Sequence, residues 1–351
     1  MTTSGAYRPG SGMQGTAMQD FGGFCETYLQ RWEQRCTVRN AERTRFRELA
    51  PDDPIFPLSL QPVAAHPDVA ALGADGRREL LVRSAFAMQS GIAGAEVDVV
   101  ALLCGRLANG RHDFGLPRSA RQVALAVGVD EFYHALVARE FIEDLSWATG
   151  IEPGREVRPE AKSGIEIGLD YLREACPAEL LPLAELVALC FAEHFVTESM
   201  FDTLKSAPRD AAYTVATREH MIDEGRHQRF FELLLQHVWI AIDEERRIAF
   251  GRLLPGFLDA FLASFPSIRE QYVSILGALG FAEDRGSGIL DEVFAVDRGD
   301  APPPAKHEFL FARHSLSLLQ ISDLVSHGPT RQCLVDAGWW PAPAESELSV
   351  A

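Results

Sequence analysis

The pentapeptides DEFYH (Asp130–His134) and DEGRH (Asp223–His227) share the pattern Asp-Glu-x-x-His, and each lies inside a long stretch of helical hydrophobic spacing. With ten histidines in 351 residues, random order would give about 0.05 such matches. On an α-helix the Glu and the His of each pattern stand one turn apart on the same face. A helix that turns such a pair toward an apolar core needs partners there, because either group buried alone is costly. The chain is therefore constrained to bring two polar helix faces together inside one core.

Helical spacing supplies the rest of that core. The stretch RRELLVRSAFAMQSGIAGAEVDVVALLCGRLAN ends at an Asn-Gly turn, and PRSARQVALAVGVDEFYHALVAREFIEDLSWATG follows and ends in Gly; two long helices joined by a short loop must lie antiparallel. A second hairpin is predicted from AELLPLAELVALCFAEHFVTESMFDTLKS, a turn at APRD, and AAYTVATREHMIDEGRHQRFFELLLQHVWIAID. No β-alternation, fixed-period repeat or Gly-rich phosphate loop is present, so the fold class is all-α: a ferritin-like four-helix bundle with additional packed helices. The expected organisation is a mobile tail at 1–20, a Pro-broken wrapping segment with one helix at 21–75, the bundle at 76–245, further helices at 246–335 and a tail at 336–351.

A bundle with Glu-x-x-His on two helices and a single Glu on each of the others is the arrangement that holds a carboxylate-bridged pair of iron or manganese ions. On the first helix the candidate is Glu96, set among Ile92, Ala93, Val99, Val100 and Leu103, with Asp98 pointing to another face. The third helix offers Glu193 and Glu198. Glu96 and Glu131 stand at similar distances from their turn, and Glu193 suits its own hairpin in the same way, whereas Glu198 falls about one and a half helical turns short. Glu193 is favoured on that ground. Asp130 and Asp223, each preceding a Glu, could hold a histidine across the bundle, since metal-bound imidazoles usually donate their other N–H to a carboxylate. Arg226 either pairs with such an Asp or stands at the surface.

One residue exceeds the usual pattern. His220, Glu224 and His227 are spaced by four and three, so a third imidazole joins the same helix face. In this the chain resembles the 4-aminobenzoate N-oxygenase (AurF-like) di-iron oxygenases, through Glu96, DEFYH, the FAE ending at Glu193, and HMIDEGRH. The resemblance implies that Glu96, Glu131, His134, Glu193, His220, Glu224 and His227 ligate two iron ions that react with O2. It also implies a homodimer, an unidentified electron donor, and oxidation of a small-molecule amine either to a hydroxylamine or onward to a nitroso or nitro product. Two rivals share the ligand pattern: a di-iron oxidase acting at carbon, and a ferritin-like iron-binding protein.

Composition narrows the partners. A net charge of −17 repels phosphate backbones and anionic lipid, so neither nucleic acid nor membrane is expected. No apolar run approaches the roughly 20 residues of a membrane span, and MTTSGAYRPGSGMQGTAMQD has no signal-peptide pattern; a cytoplasmic protein is expected. Six cysteines without a CxxC pair suggest reduced thiols, with Cys104 and Cys190 as packing residues. His194, His237 and His314 read as structural or surface histidines. Phe132, Tyr133, Phe191, Phe195, Phe230 and Phe231 either line a substrate pocket or fill the core.

Overall fold

The computed structural model describes residues 20–342 apart from 41, 51, 112–113, 159–161, 264 and 296–304. The tail expected at 1–20 lies outside the described residues except for Asp20, as do residues 343–351 of the C-terminal one. No strand occurs among the described residues, and the fold is all-α.

The described residues begin with α1 (Phe21–Arg35), the short α2 (Thr37–Asn40) and α3 (Pro67–Ala70). The first bundle helix begins as α4 (Gly73–Ala95), widens into a π-helical turn at Glu96–Ala101 and resumes as α5 (Leu102–Ala108). It packs antiparallel against α6 (Arg118–Thr149), which stops where Gly150 takes the left-handed conformation at φ 69°. After α7 (Gly164–Ala175), the second hairpin pairs α8 (Leu181–Ser206) with α9 (Ala212–Ala241). The sequence led us to expect one unbroken α-helix in place of α4, the π turn and α5. The π turn marks where that expectation fails, and such bulges occur often at functional sites.

Around the bundle, α10 (Glu244–Phe261), α11 (Phe265–Ala278), α12 (Glu283–Val293), α13 (Leu310–Ile321) and α14 (Gly328–Asp336) complete the fold. Phe250, Leu254, Phe257 and Leu258 of α10 join α8 and α9 in the main core, and Trp339 closes it. Helix α7 reaches α10 closely because Gly168 has no side chain: a Cβ there would stand 3.1 Å from the Cα of Phe261.

The segment before α4 straps the bundle. Carbonyls of Pro54 and Ile55 accept the N–H groups of Ala212 and Tyr213 at 2.9 Å each, which satisfies two otherwise unpaired donors at the start of α9. Asp144 of α6, buried, accepts from Arg45 and Arg47 at 2.6 Å and from the Phe46 N–H at 3.2 Å. Those bonds, led by the one from Arg45, hold its carboxyl at about 2. α1 and α2 lie across α6 and α9 beside the two Asp-Glu-x-x-His runs.

Candidate metal centre

All seven polar residues singled out above converge in the middle of the bundle. Glu131 and His134 project from α6, Glu224 and His227 from α9 at the same i,i+3 spacing, and His220 one turn earlier on α9. Glu96 opens the π turn and Glu193 comes from α8. Six of them are between 0 and 4% exposed, and the His220 side chain is 9% exposed.

Glu224 is central. Its Oε1 lies 3.2 Å from His220 Nε2, 3.3 Å from His134 Nδ1 and 3.4 Å from His227 Nδ1. Glu131 faces two imidazoles with different oxygens, Oε1 at 2.8 Å from His227 Nδ1 and Oε2 at 3.5 Å from His134 Nδ1. Glu96 Oε1 approaches His220 Nε2 at 3.0 Å, and Glu193 Oε1 approaches His227 Nδ1 at 3.5 Å. Two sets of donor atoms are each compact enough for one ion: Glu131, His134, Glu224 and His227, and Glu96, His134 and His220. Glu193 falls in neither set and borders the first through His227.

The donor chemistry fits a metal pair. Glu96 Oε1 and Oε2, Glu131 Oε1, His134 Nδ1, Glu193 Oε1, His220 Nε2, Glu224 Oε1 and His227 Nδ1 are all buried without a properly aligned hydrogen-bond partner. Buried polar atoms are nearly always satisfied, and each exception calls for a cause. Here every one of the seven residues turns such an atom inward. Four carboxylates with three imidazoles also match the charge and donor preference of two divalent first-row ions.

The outward ring nitrogens are held reciprocally. His134 Nε2 of α6 lies 3.2 Å from Asp223 Oδ2 of α9, and His227 Nε2 of α9 lies 3.2 Å from Asp130 Oδ2 of α6. With Nε2–H donating to a carboxylate, each Nδ1 lone pair is aimed into the centre. Arg226 is paired with Asp223.

Three supports had no signal in the sequence. The Trp32 indole N–H donates to Asp130 Oδ2 at 2.8 Å, the Thr37 N–H to Asp223 Oδ2 at 3.1 Å, and the Thr197 hydroxyl to Glu224 Oε2 at 3.2 Å. Trp32 and Thr37 lie 98 and 186 residues from their carboxylates, beyond the reach of any local pattern.

Other candidates fall away from the centre. Glu198 is half-buried and accepts from Gln228 Nε2 at 2.7 Å, and Asp98 is exposed. His194 is buried with Nε2 at 2.8 Å from Ser317 Oγ, His237 packs on the Phe21 ring at 5.0 Å, and His314 stands 3.3 Å from Asp202 Oδ2. Cys104 and Cys190 are fully buried thiols. Phe191, Phe230 and Phe231 belong to the main core, while Phe132 is 58% exposed. Phe132 thus fits neither of its expected roles, because it lies on the outer stripe of α6, one residue past Glu131.

In the metal-free protein, electrostatics keep protons in the cluster. Burial pushes the Glu96 carboxyl up to about 7 against the pull of His220. Burial opposes a charge on His220, but the adjoining Glu96 and Glu224 carboxylates together outweigh it and lift the imidazole to about 9. Burial and the charges of Glu224 and Glu131 raise Glu193 well above the ordinary carboxyl range. Groups that bind protons more tightly in the folded state stabilise it below their unfolded values and lose that contribution as pH rises through the folded ones. For Glu96 the window runs from 4.5 to about 7, and for His220 from 6.5 to about 9. Glu131 and Glu224 are held below 4.5, so their contribution fades only in acid, outside this range. The metal-free chain is expected to melt at steadily lower temperature from pH 6 to pH 9. Divalent metal, which displaces these protons, should bind more tightly over the same interval. Thermal scans with and without Fe(II) under anaerobic conditions check both; a metal-free melting temperature that rises over the interval would refute the protonation pattern.

An all-α bundle enclosing a buried carboxylate–histidine cluster able to bind metal defines a class of metalloprotein. Within that class, the family model described as P-aminobenzoate N-oxygenase AurF matches residues 42–285. The chain belongs to this family of oxygenases and is an enzyme. No curated protein matches it. No described helix is long and apolar enough to cross a membrane.

Proposed function

We propose that this chain is an O2-dependent di-iron N-oxygenase that takes a small-molecule amine to the hydroxylamine, with electrons from a separate donor. The observation that carries the reading is the third imidazole: His220 Nε2 lies within 3.2 Å of both Glu96 and Glu224, so one half of the cluster has two nitrogen donors. Membership of the AurF family supports it.

In this reading Glu96, Glu131, His134, Glu193, His220, Glu224 and His227 would together hold two iron ions. Bound there, the iron pair supplies the redox chemistry with O2 that amino-acid side chains lack. Four carboxylates balance the charge of two Fe(II) ions, so a neutral unit occupies the dry core and its burial becomes tolerable. Asp130 and Asp223 fix the tautomer of His227 and His134. Ile92, Met200 and Met221 form an apolar cluster with Val196 and Leu204, and Ile92, Val196 and Met221 stand within about one turn of Glu96, Glu193 and His220; the cluster would keep water from that side of the centre.

The test is a reaction of iron-loaded, chemically reduced protein with ¹⁸O2 and a panel of aromatic and aliphatic amines, read by mass spectrometry. At least one amine is expected to gain labelled oxygen on nitrogen. Labelled oxygen appearing only on carbon would replace the N-oxygenase reading with a carbon-acting oxidase, and ferric mineral growing without any oxygenated product would replace it with iron storage.

A further inference from the structure

Asp130 and Asp223 orient His227 and His134 in the same way, yet the groups that hold the two carboxylates differ. Asp223 accepts from the Thr37 N–H at 3.1 Å and the Thr37 hydroxyl at 2.5 Å, and it pairs with Arg226. Asp130 accepts from the Trp32 indole at 2.8 Å. A hydroxyl would satisfy Asp130 as well as it satisfies Asp223, so the need for a hydrogen-bond donor does not by itself account for tryptophan. An indole adds what amide, hydroxyl and guanidinium lack: an extended π system able to couple to a redox group beside it.

Trp32 also joins the centre to the surface. Its side chain is half-buried against the edge of the main core, whereas Asp130 and His227 are fully buried. The indole N–H donates to Asp130 Oδ2, the same oxygen lies 3.2 Å from His227 Nε2, and His227 Nδ1 faces the cluster. Two hydrogen bonds thus connect the outer end of the route to the metal side without an open gap, and electron tunnelling falls off far less along bonded atoms than across a gap.

We propose that Trp32 is the entry point for the electrons that the oxygenase needs, and that a small acidic one-electron carrier protein, of iron–sulfur or flavin type, delivers them by docking on α1 around it. The inference rests on the oxygenase reading above. Each passage takes one electron from the carrier to bound iron by way of Trp32, Asp130 and His227, and no bond along the route forms or breaks. Two passages return a pair of ferric ions to the ferrous state.

Charge selects the carrier. The whole chain carries −17, yet residues 27–39 hold three arginines against one glutamate. Arg31 and Arg35 stand one turn apart on one flank of α1 beside Trp32; both are exposed, and neither forms an ion pair among the described residues. Arg226 reaches the Arg35 carbonyl at 3.5 Å and adds a third guanidinium to that flank. Electron-transfer encounters use small interfaces and are steered by opposite charge, so a basic flank of this size suits an acidic carrier on an otherwise acidic protein.

Stopped-flow reduction of the diferric protein tests the route, with a plant-type [2Fe–2S] ferredoxin and a flavodoxin as probes and rates normalised to bound iron. At least one probe should reduce the wild-type protein, faster at low salt than at high. Trp32→Phe should slow reduction at saturating carrier by at least about tenfold, since it keeps an aromatic ring but loses the bond to Asp130. The Arg31→Glu, Arg35→Glu double variant should lower the second-order rate by at least about tenfold and weaken binding of oxidised carrier to the metal-free protein by a similar factor. Reduced methyl viologen, a small cation that needs no docking face, should reduce that variant no more slowly than wild type; both arginines are exposed, so this arm stands even if Trp32→Phe misfolds. Labelled-oxygen incorporation by wild-type protein reduced beforehand with viologen examines the oxygenase reading separately: its absence would overturn that reading and leave the route to be judged on the reduction rates. Equal rates in wild type and Trp32→Phe, a rate that does not fall with salt, or iron reduced by viologen but by neither carrier would each overturn the proposal.

Discussion

Replacing Glu224 by alanine is expected to take the chain from about two bound metal ions to fewer than about one half. Among the described residues no other side chain is approached by three imidazole nitrogens, all within 3.4 Å of its Oε1, so its loss weakens both halves of the cluster at once. The fold should survive. Alanine is the best helix former, the change removes a buried charge, and the unpartnered Thr197 hydroxyl costs only about 1 kcal/mol. Metal analysis after anaerobic Fe(II) loading and gel filtration, with circular dichroism on the same sample, checks the prediction. A variant that keeps two ions would show that Glu224 is not needed to hold them.

His220→Ala is expected to separate metal binding from chemistry. Six donor residues remain, so iron should still be retained, while formation of the oxygenated amine should fall by at least about 100-fold, or roughly 2.7 kcal/mol of barrier. The substitution leaves one imidazole for each ion and removes the nitrogen donor shared with Glu96, the feature on which the N-oxygenase reading rests. Single-turnover product yield, normalised to bound iron, is the readout. A wild-type yield in the variant would reduce His220 to a neighbour of the centre.

The seven candidates stand out in the sequence because each breaks a local rule. Asp-Glu-x-x-His recurs on two apolar helices, and Glu96 interrupts a buried stripe of Ile92, Val99 and Leu103. Glu193 is preferred to Glu198 because antiparallel hairpins match residues by distance from the turn; in the structure Glu193 borders the cluster through His227 and Glu198 accepts from Gln228. The reciprocal Asp–His pairs are expected because metal-bound imidazoles usually donate their other N–H to a carboxylate. Helix α7 was equally legible and was missed: Ser163 and Glu166 form a capping box ahead of buried Leu169 and Leu172.

Other features had no local signal. A π turn costs regular hydrogen bonding and is sustained by packing from α6 and α8, so EVDVVA reads as ordinary helix. Trp32 and Thr37 act across most of the chain, and their roles appear only once α1 and α2 are laid over α6 and α9. The aromatic residues near the motifs sorted into core and surface according to which face of each helix the neighbours covered. Periodicity alone cannot say whether an apolar face is covered by this chain or by a second copy.

In the proposed reading Glu96, Glu131, His134, Glu193, His220, Glu224 and His227 together hold two iron ions. Metal analysis of the protein purified from iron-replete cells, repeated after anaerobic titration with Fe(II), measures this directly. Two iron ions per chain, with a titration endpoint at two equivalents, is the predicted result. One zinc ion and no iron after loading, or an endpoint at a single equivalent, would contradict it.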